Sequence, residues 1–259
     1  MIHTATPRDL PRLTELLAEA NDAPYDLARV AEEKCFGAGV AGGPRVRVFG
    51  DFQGVAVTCG KALRILAVRR GERGHGIGTA LLEDASAQIV GAEAGNYFTP
   101  GVVTSDENTF RFLTKRGYRQ TAQTQNLIAH ALPEEMPPEV KVGNVLDFIE
   151  REFGKIWRFE AANAPKVFYV EENGEVAGFA AHDGNNRGLG FFGPTGVAEQ
   201  HRGKGLGRKL LRAALADMRQ QGYHHAIIPW TDAIDFYRRS CGAEVHHRFV
   251  TLARYIPQP

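Results

Sequence analysis

Two glycine-rich segments of this chain combine residue types that suit the binding of a phosphate group. Arg73–Gly78 and Arg202–Gly207 share the pattern Arg-Gly-x-Gly-(Ile/Leu)-Gly, and each lies between an apolar run and a helical pattern. Glycines let successive backbone N–H groups turn towards one point, and the first turn of a helix adds unpaired donors and a positive dipole end. The preceding arginine supplies a fork of donors suited to a pyrophosphate.

Two other phosphate-binding motifs do not fit these segments. The dinucleotide fingerprint needs a third glycine three places after the second, and neither copy has one in that register. A P-loop needs Gly-Lys-Ser/Thr after four intervening residues, and neither copy has that sequence. The two segments are therefore predicted to be phosphate-binding loops of another kind.

The repeat of this segment sets the expected domain organisation. Arg73 and Arg202 are 129 positions apart, as are Pro100 and Pro229, in a chain of 259 residues. Two copies of one unit fill the sequence. We expect domains at residues 1–132 and 139–259, joined by a charged, proline-broken linker around Pro137-Pro138.

Composition narrows the class of protein. Hydrophobic content of 43% and charged content of 24% are typical of a globular domain, and a net charge of +1 argues against broad nucleic-acid binding. No apolar run approaches the ~18 residues of a transmembrane helix, and no signal peptide is visible. Cys35, Cys59 and Cys241 are scattered, as expected for reduced thiols, so we expect a cytoplasmic protein without a membrane partner.

Secondary-structure patterns place each loop between a strand and a helix. In the first copy we expect a strand at residues 62–68, a helix at 77–94 and a strand at 97–104. The second copy has a helix pattern at residues 206–221 and a strand pattern at 225–230. A hairpin turns at Asn173-Gly174, and the segment 182–188 is a polar insertion predicted to be flexible. The fold class is α/β, in which helices flank a mixed, mostly antiparallel sheet.

These residues resemble a known family. Arg/Gln-x-x-Gly-x-Gly/Ala between a strand and a helix is similar to motif A of the GNAT acetyltransferases, which bind acetyl-CoA by its pyrophosphate. Two matches in register make the chain resemble a tandem GNAT, with two GNAT-like units. In that family two neighbouring strands splay apart near the positions of Pro100 and Pro229, and the pantetheine arm lies between them.

The resemblance implies a cofactor-binding residue set in each unit. The backbone N–H of Val68 or Val197 is expected to polarise the thioester carbonyl. The first set is Val68, Arg73, Gly74, Gly76, Gly78, Thr79 and Asn108. The second set is Val197, Arg202, Gly203, Lys204, Gly205, Gly207 and Arg208, with Asp232 as the rough counterpart of Asn108.

The candidate catalytic residues lie in the second copy. GNATs commonly use a tyrosine in a pattern like Phe-Tyr-x-x-x-Gly, and Phe236-Tyr237 matches it with one extra residue before Gly242. The first copy has Leu113 at this place, and leucine cannot give a proton. Tyr237 is therefore the expected general acid, although a core or interface tyrosine would also fit the pattern, and catalysis is placed in the C-terminal domain.

The general base has no clear sequence signal. His182, next to Asp183, is the leading candidate because a histidine titrates in the right range. His224, Glu171 and Glu172 are weaker candidates, and a base acting through ordered water is equally open. No metal site is expected, since the pair His246-His247 is too isolated to form one.

These observations predict an acetyl-CoA-dependent N-acetyltransferase that acts on a primary amine of a small molecule. One alternative is an enzyme that acts on a peptide or protein amine. Another is a non-catalytic acyl-CoA-binding protein, which Leu113 favours for the N-terminal half. We expect a monomer or a homodimer, no nucleic-acid partner and no metal.

Overall fold

A computed structural model describes residues 1–254 of the chain, which divides into two compact units. Unit 1 comprises Met1–Thr124 and the segment that begins at His247, and unit 2 comprises Gln125–His246. No helix among residues 1–254 combines the length and the apolar character needed to cross a membrane.

Unit 1 begins with a strand and two helices and continues through a meander to the first glycine loop. Its elements are β1 (Ile2–Thr4), α1 (Leu10–Ala20), α2 (Ala31–Phe36), β2 (Arg45–Phe49), β3 (Gly54–Cys59), β4 (Ala62–Val68), α3 (Ile77–Ala85), β5 (Ile89–Val90), β6 (Val102–Val103), α4 (Glu107–Thr114) and the first part of β7 (Arg119–Ala129). Strand β7 runs on into unit 2 at Gln125.

Unit 2 repeats this order. Its elements are the end of β7, then β8 (Lys141–Val142), α5 (Leu146–Phe153), α6 (Lys155–Asn163), β9 (Val167–Glu172), β10 (Glu175–His182), β11 (Phe192–Val197), α7 (Leu206–Gln220), β12 (Ala226–Ile228), α8 (Ile234–Cys241) and the start of β13 (Glu244–Ala253). The N–H of Leu146, the first residue of α5, donates to the side chain of Asn144. Asn173 and Gly174 have φ of 54° and 83°, which the tight β9–β10 turn requires.

The sheets are mixed and mostly antiparallel, as predicted. In unit 1 the strand order is β1-β2-β3-β4-β5-β13, and only β4 and β5 among these neighbours run parallel. In unit 2 the order is β11-β10-β9-β8, and β12 pairs antiparallel with the end of β7. Helix α3 packs its buried face, including Leu81 and Leu82, on the unit 1 core, and Leu210 and Leu211 of α7 do the same in unit 2.

The last strands of the two halves are exchanged between the units. In unit 1, β5 pairs with Leu252 and Ala253 of β13. In unit 2, β12 pairs with residues 127–129 of β7, where Leu127 and Ala129 are fully buried in the core. The expected domains, 1–132 and 139–259, assign all of β7 to the first domain and all of β13 to the second. In the structure the end of β7 belongs to unit 2, and most of β13 belongs to unit 1.

Three sequence expectations need correction. Helix α3 ends at Ala85, not at residue 94, because Ser86 adopts a left-handed conformation and Gln88 and Ile89 donate to the Lys61 carbonyl, which starts β5. The strand expected at residues 97–104 is confined to β6, so Pro100 lies in the preceding loop. The insertion after β10 is packed rather than free, since His182, Asp183 and Asn186 are buried.

Candidate functional site

The two glycine loops have the same backbone conformation. Gly74 and Gly76 have φ of 83° and 85°, and Gly203 and Gly205 have φ of 81° and 77°. An added Cβ would meet no atom within 4 Å at any of these four positions. Glycine is therefore needed for the left-handed backbone and not for space. Each loop leads directly into the free N–H groups of α3 or α7, which suits an anion.

The third glycine of each loop packs on a phenylalanine. A Cβ at Gly78 would lie 3.4 Å from the Phe112 ring, and one at Gly207 would lie 3.5 Å from the Phe236 ring. Phe112 and Phe236 are therefore equivalent residues of α4 and α8. By this alignment Leu113 corresponds to Tyr237, and Asn108 corresponds to Asp232, as the sequence indicated.

The motif arginines bind the protein itself. Arg73 Nε donates to the Val68 carbonyl at 3.0 Å, and Arg202 Nε donates to the Val197 carbonyl at 3.2 Å. Arg73 also donates to the Ala20 carbonyl and forms an ion pair with Asp22 at 2.7 Å. The guanidinium expected to hold a pyrophosphate is thus engaged in unit 1. Lys204 is likewise ion-paired, with Glu172 at 2.8 Å.

A cavity of about 860 Å³ adjoins the first glycine loop. Strands β4 and β5 pair only at Ala62–Ile89 and Leu63–Val90, and beyond this point the cavity separates β4 from Gly101–Val103. The cavity brings together all the residues proposed for the first cofactor set: Val68, Arg73, Gly74, Gly76, Gly78, Thr79 and Asn108. Its size is within the usual range of small-molecule sites.

The backbone N–H groups of Val68 and Val197 are directed away from the meander. Arg69 N donates to Gln53 on the β3 side, and Ala198 N donates to Ala177 on the β10 side. Because backbone groups alternate along an antiparallel strand, the N–H of the preceding residue points to the opposite side. In unit 1 that side faces the cavity, so the Val68 N–H has the direction that polarising a bound carbonyl requires.

In unit 2, β11 and β12 are the neighbouring strands that correspond to β4 and β5. Within the described chain, these strands meet through one isolated parallel bridge, Phe191–Ile227, where Ile227 N donates to the Gly190 carbonyl at 2.7 Å. The predicted residues of the second set lie on β11, on the loop and on the first turn of α7: Val197, Arg202, Gly203, Lys204, Gly205, Gly207 and Arg208. Trp157 and Phe153 pack against Gly196, one residue before Val197.

Tyr237 is buried at the place that Leu113 holds in unit 1. Its ring packs edge-on to Phe192 and Phe236, with centroids 6.2 and 5.0 Å away. Burial raises the pKa of Tyr237, so the phenol stays protonated across the physiological range. Leu113, its equivalent in unit 1, lines the cavity of that unit.

His182 is fully buried, and its geometry does not suit a general base. Its Nε2 lies 2.8 Å from Asp217 and its Nδ1 lies 3.2 Å from Asp183. Burial alone would lower the pKa of His182, but the hydrogen bonds and charges of the two aspartates outweigh it and raise the pKa. Both ring nitrogens lie within hydrogen-bond distance of a carboxylate, and in the imidazolium form both donate and no lone pair is left to accept a proton. The role of His182 as general base stays a prediction, and this enclosed geometry favours a structural role instead.

Arg116 is a cationic residue at the glycine loop that sequence analysis did not single out. It lines the cavity and contacts Thr79 and Phe112. Arg116 lies four residues after Phe112 in the sequence. This spacing places Arg116 at the glycine loop only once Phe112 is known to pack on Gly78. Among residues 1–254 no group of three or more His, Cys, Asp and Glu side chains could hold a metal ion.

The comparisons with known proteins agree with this geometry. Residues 128–243 match the model of the family described as Acetyltransferase (GNAT) family, and the first 127 residues lie outside the match. A search of curated proteins by sequence gives no match.

Solved structures share the fold over nearly the whole chain. A GCN5-related glucosamine N-acetyltransferase region of a fungal multi-domain β-N-acetylglucosaminidase has a TM-score of 0.73 at 17% identity, and covers 97% of this chain and 38% of that longer one. A GCN5-related N-acetyltransferase from Sphaerobacter thermophilus has a TM-score of 0.67 at 18% identity, over 100% of this chain and 97% of that one.

A tandem GNAT protein of the clavulanic acid biosynthesis pathway has a TM-score of 0.65 at 15% identity, over 100% of this chain and 99% of that one. At these identities the likeness is one of fold. Residues 128–243 therefore match a GNAT acetyltransferase domain, and this match together with the fold supports N-acetyltransferase activity.

Proposed function

We propose that this protein is an acetyl-CoA-dependent N-acetyltransferase that acts on a primary amine of a small molecule, with transfer in unit 2. The observation that carries the proposal is the difference at one equivalent position. Both units have the loop and the diverging strands, but Tyr237 in unit 2 can donate a proton and Leu113 in unit 1 cannot.

The chain's own residues suit the steps of direct transfer. The glycine loop and the first turn of α7 would hold the pyrophosphate, and the N–H of Val197 would polarise the thioester carbonyl. The amine nitrogen attacks this carbonyl carbon, an N–C bond forms and the C–S bond breaks. The ammonium first gives one proton to water, because both ring nitrogens of His182 face carboxylates. The proton of Tyr237 then passes to the departing thiolate, and the second proton that the attacking nitrogen loses on forming the amide returns to the Tyr237 phenolate.

Two alternatives stay open. An enzyme for a peptide or protein amine would use the same transfer chemistry with a more open acceptor site. The other alternative is a non-catalytic acyl-CoA-binding protein, which binds acyl-CoA without turnover. Leu113 and the cavity fit such a site in unit 1. In this proposal unit 1 is such a binding module.

Turnover tests the proposal. Release of the CoA thiol would be followed with acetyl-CoA and a panel of small primary amines, glucosamine among them, beside lysine-bearing peptides. We expect amine-dependent thiol release with at least one small amine. Release that requires a peptide would support the first alternative, and binding of acetyl-CoA without turnover on any amine would contradict the enzyme assignment.

A further inference from the structure

Arg116 is fixed against the first turn of α3 by three contacts. Its guanidinium lies over the Phe112 ring, 3.7 Å from the centroid, and one Nη donates to the Phe112 carbonyl at 2.7 Å. The other Nη donates to the hydroxyl of Thr79. Since Phe112 itself packs on Gly78, the arginine is held beside the glycine loop although it lies just beyond the end of α4.

The charge of Arg116 has no carboxylate partner within ion-pair distance among residues 1–254. Its Nε is buried and has no hydrogen-bond acceptor in this part of the chain. A partly buried cation without a carboxylate partner leaves its charge uncompensated, and since Arg116 lines the cavity this points to an anion supplied by a ligand. Arg73, on the same cavity, is instead committed to Asp22, Val68 and Ala20.

Unit 2 places the corresponding charge on the other helix. The residue after the third glycine is Thr79 in unit 1 and Arg208 in unit 2. The fourth residue after the packed phenylalanine is Arg116 in unit 1 and Ser240 in unit 2, where the Ser240 hydroxyl is buried without a partner in the described chain. At these two equivalent positions each unit therefore has one arginine. In unit 1 it is Arg116, just after α4, and in unit 2 it is Arg208, in the first turn of α7.

We propose that Arg116, and not the motif residue Arg73, is the arginine that binds a phosphate of the acyl-CoA in unit 1. Arg208 has the same role in unit 2. The inference rests on the proposed function for the identity of the ligand. Arg73 then has a structural role, because it connects the glycine loop to the end of α1. Either the pyrophosphate or the ribose 3′-phosphate of CoA would supply the anion.

The first test is CoA binding at unit 1 by calorimetry, in the full chain with the second loop blocked by Gly205→Glu. Arg116→Ser should weaken CoA roughly ten- to hundredfold, the range expected for a lost charge-assisted hydrogen bond. Lys115→Ser, an equal change of charge at the neighbouring exposed residue, should change the affinity less than twofold. Dephospho-CoA distinguishes the anions, because a loss that persists with it indicates the pyrophosphate and a loss that disappears indicates the 3′-phosphate.

The second test copies the unit 2 arrangement into unit 1. Adding Thr79→Arg to Arg116→Ser should recover most of the lost affinity, because the charge returns from α3. This rescue also separates phosphate binding from misfolding, since a merely unfolded site would not be restored by a second substitution. Affinity of Arg116→Ser within twofold of Lys115→Ser would overturn the inference, and so would a large loss that Thr79→Arg does not recover. Absence of CoA binding in the Gly205→Glu parent would instead contradict the proposed binding role of unit 1.

Discussion

Tyr237 and Leu113 occupy the same position in the two units, each one residue after the phenylalanine that packs on the third glycine of its loop. Replacement of Tyr237 by phenylalanine removes the hydroxyl and keeps the ring that packs on Phe192. If the hydroxyl protonates the leaving thiolate, kcat should fall by about 10²-fold or more. The kcat of the Tyr237→Phe variant would be measured from the rate of CoA thiol release.

The control for that change is the other unit. Leu113→Met is a volume-conserving change at the equivalent place and should leave kcat unchanged. Binding of acetyl-CoA should be retained in both variants, as measured by calorimetry. A kcat for Tyr237→Phe within twofold of the parent would mean that the tyrosine is a core residue only.

The glycine loops predict a contrast between neighbouring glycines. Gly205 has φ of 77°, so Gly205→Ala forces an alanine into a left-handed conformation that costs roughly 1–2 kcal/mol. Gly207 lies in α7 with room for a Cβ, so Gly207→Ala should be neutral or stabilising by up to about 1 kcal/mol. With the first loop blocked by Gly76→Glu, the CoA affinity should drop about fivefold or more for Gly205→Ala and stay nearly constant for Gly207→Ala. Equal effects would contradict the conformational role of Gly205.

His182 should contribute to stability and not to the chemical step. His182→Gln leaves Asp217 and Asp183 buried without the imidazolium, which should lower the free energy of unfolding by about 3 kcal/mol. Chemical denaturation measures this loss. Well below the melting temperature kcat should stay within about threefold, whereas a drop of about 10² or more would restore the role of general base.

The same group predicts a pH dependence of stability. The folded pKa of His182 is raised above 6.5, so its contribution is complete below that pH and is lost as pH rises through the folded pKa. Burial alone would raise the pKa of Asp217, but Lys166 and His182 outweigh it and lower the pKa below 3.8, so its contribution is lost only in acid. The stability difference between the parent and His182→Gln should therefore be largest between pH 4 and 6.5. A stability difference that grows above pH 7 would contradict this account. As a control, His130→Gln replaces an exposed histidine, and its stability difference from the parent should not be largest in this pH range.

The repeat made much of the fold predictable, because strand, glycine loop and helix are encoded locally by apolar runs and by glycines. Strand β4 has the expected bounds, and Asn173-Gly174 forms the expected turn. The sequence expectations that were wrong concern segments whose structure depends on contacts with residues distant in the chain. Ile89–Val90 continues a helical pattern in the sequence, but in the structure it pairs with β4 and β13. The polar run at residues 182–188 has the composition of a flexible loop, but its first residue, His182, is held by Asp217, which is distant in sequence. The roles of Arg73 and Arg116 likewise depend on Asp22 and Phe112, which are distant in sequence.

The most direct test of the account is the stoichiometry of acetyl-CoA binding, measured by calorimetry on the parent, Gly76→Glu and Gly205→Glu. Glutamate in either loop puts bulk and negative charge where the pyrophosphate is expected. We predict two sites in the parent and the loss of one site in each variant, with turnover lost only in Gly205→Glu. No binding heat in the parent at concentrations well above ordinary CoA affinities, or turnover that survives Gly205→Glu, would contradict an acetyltransferase whose catalytic centre lies in unit 2.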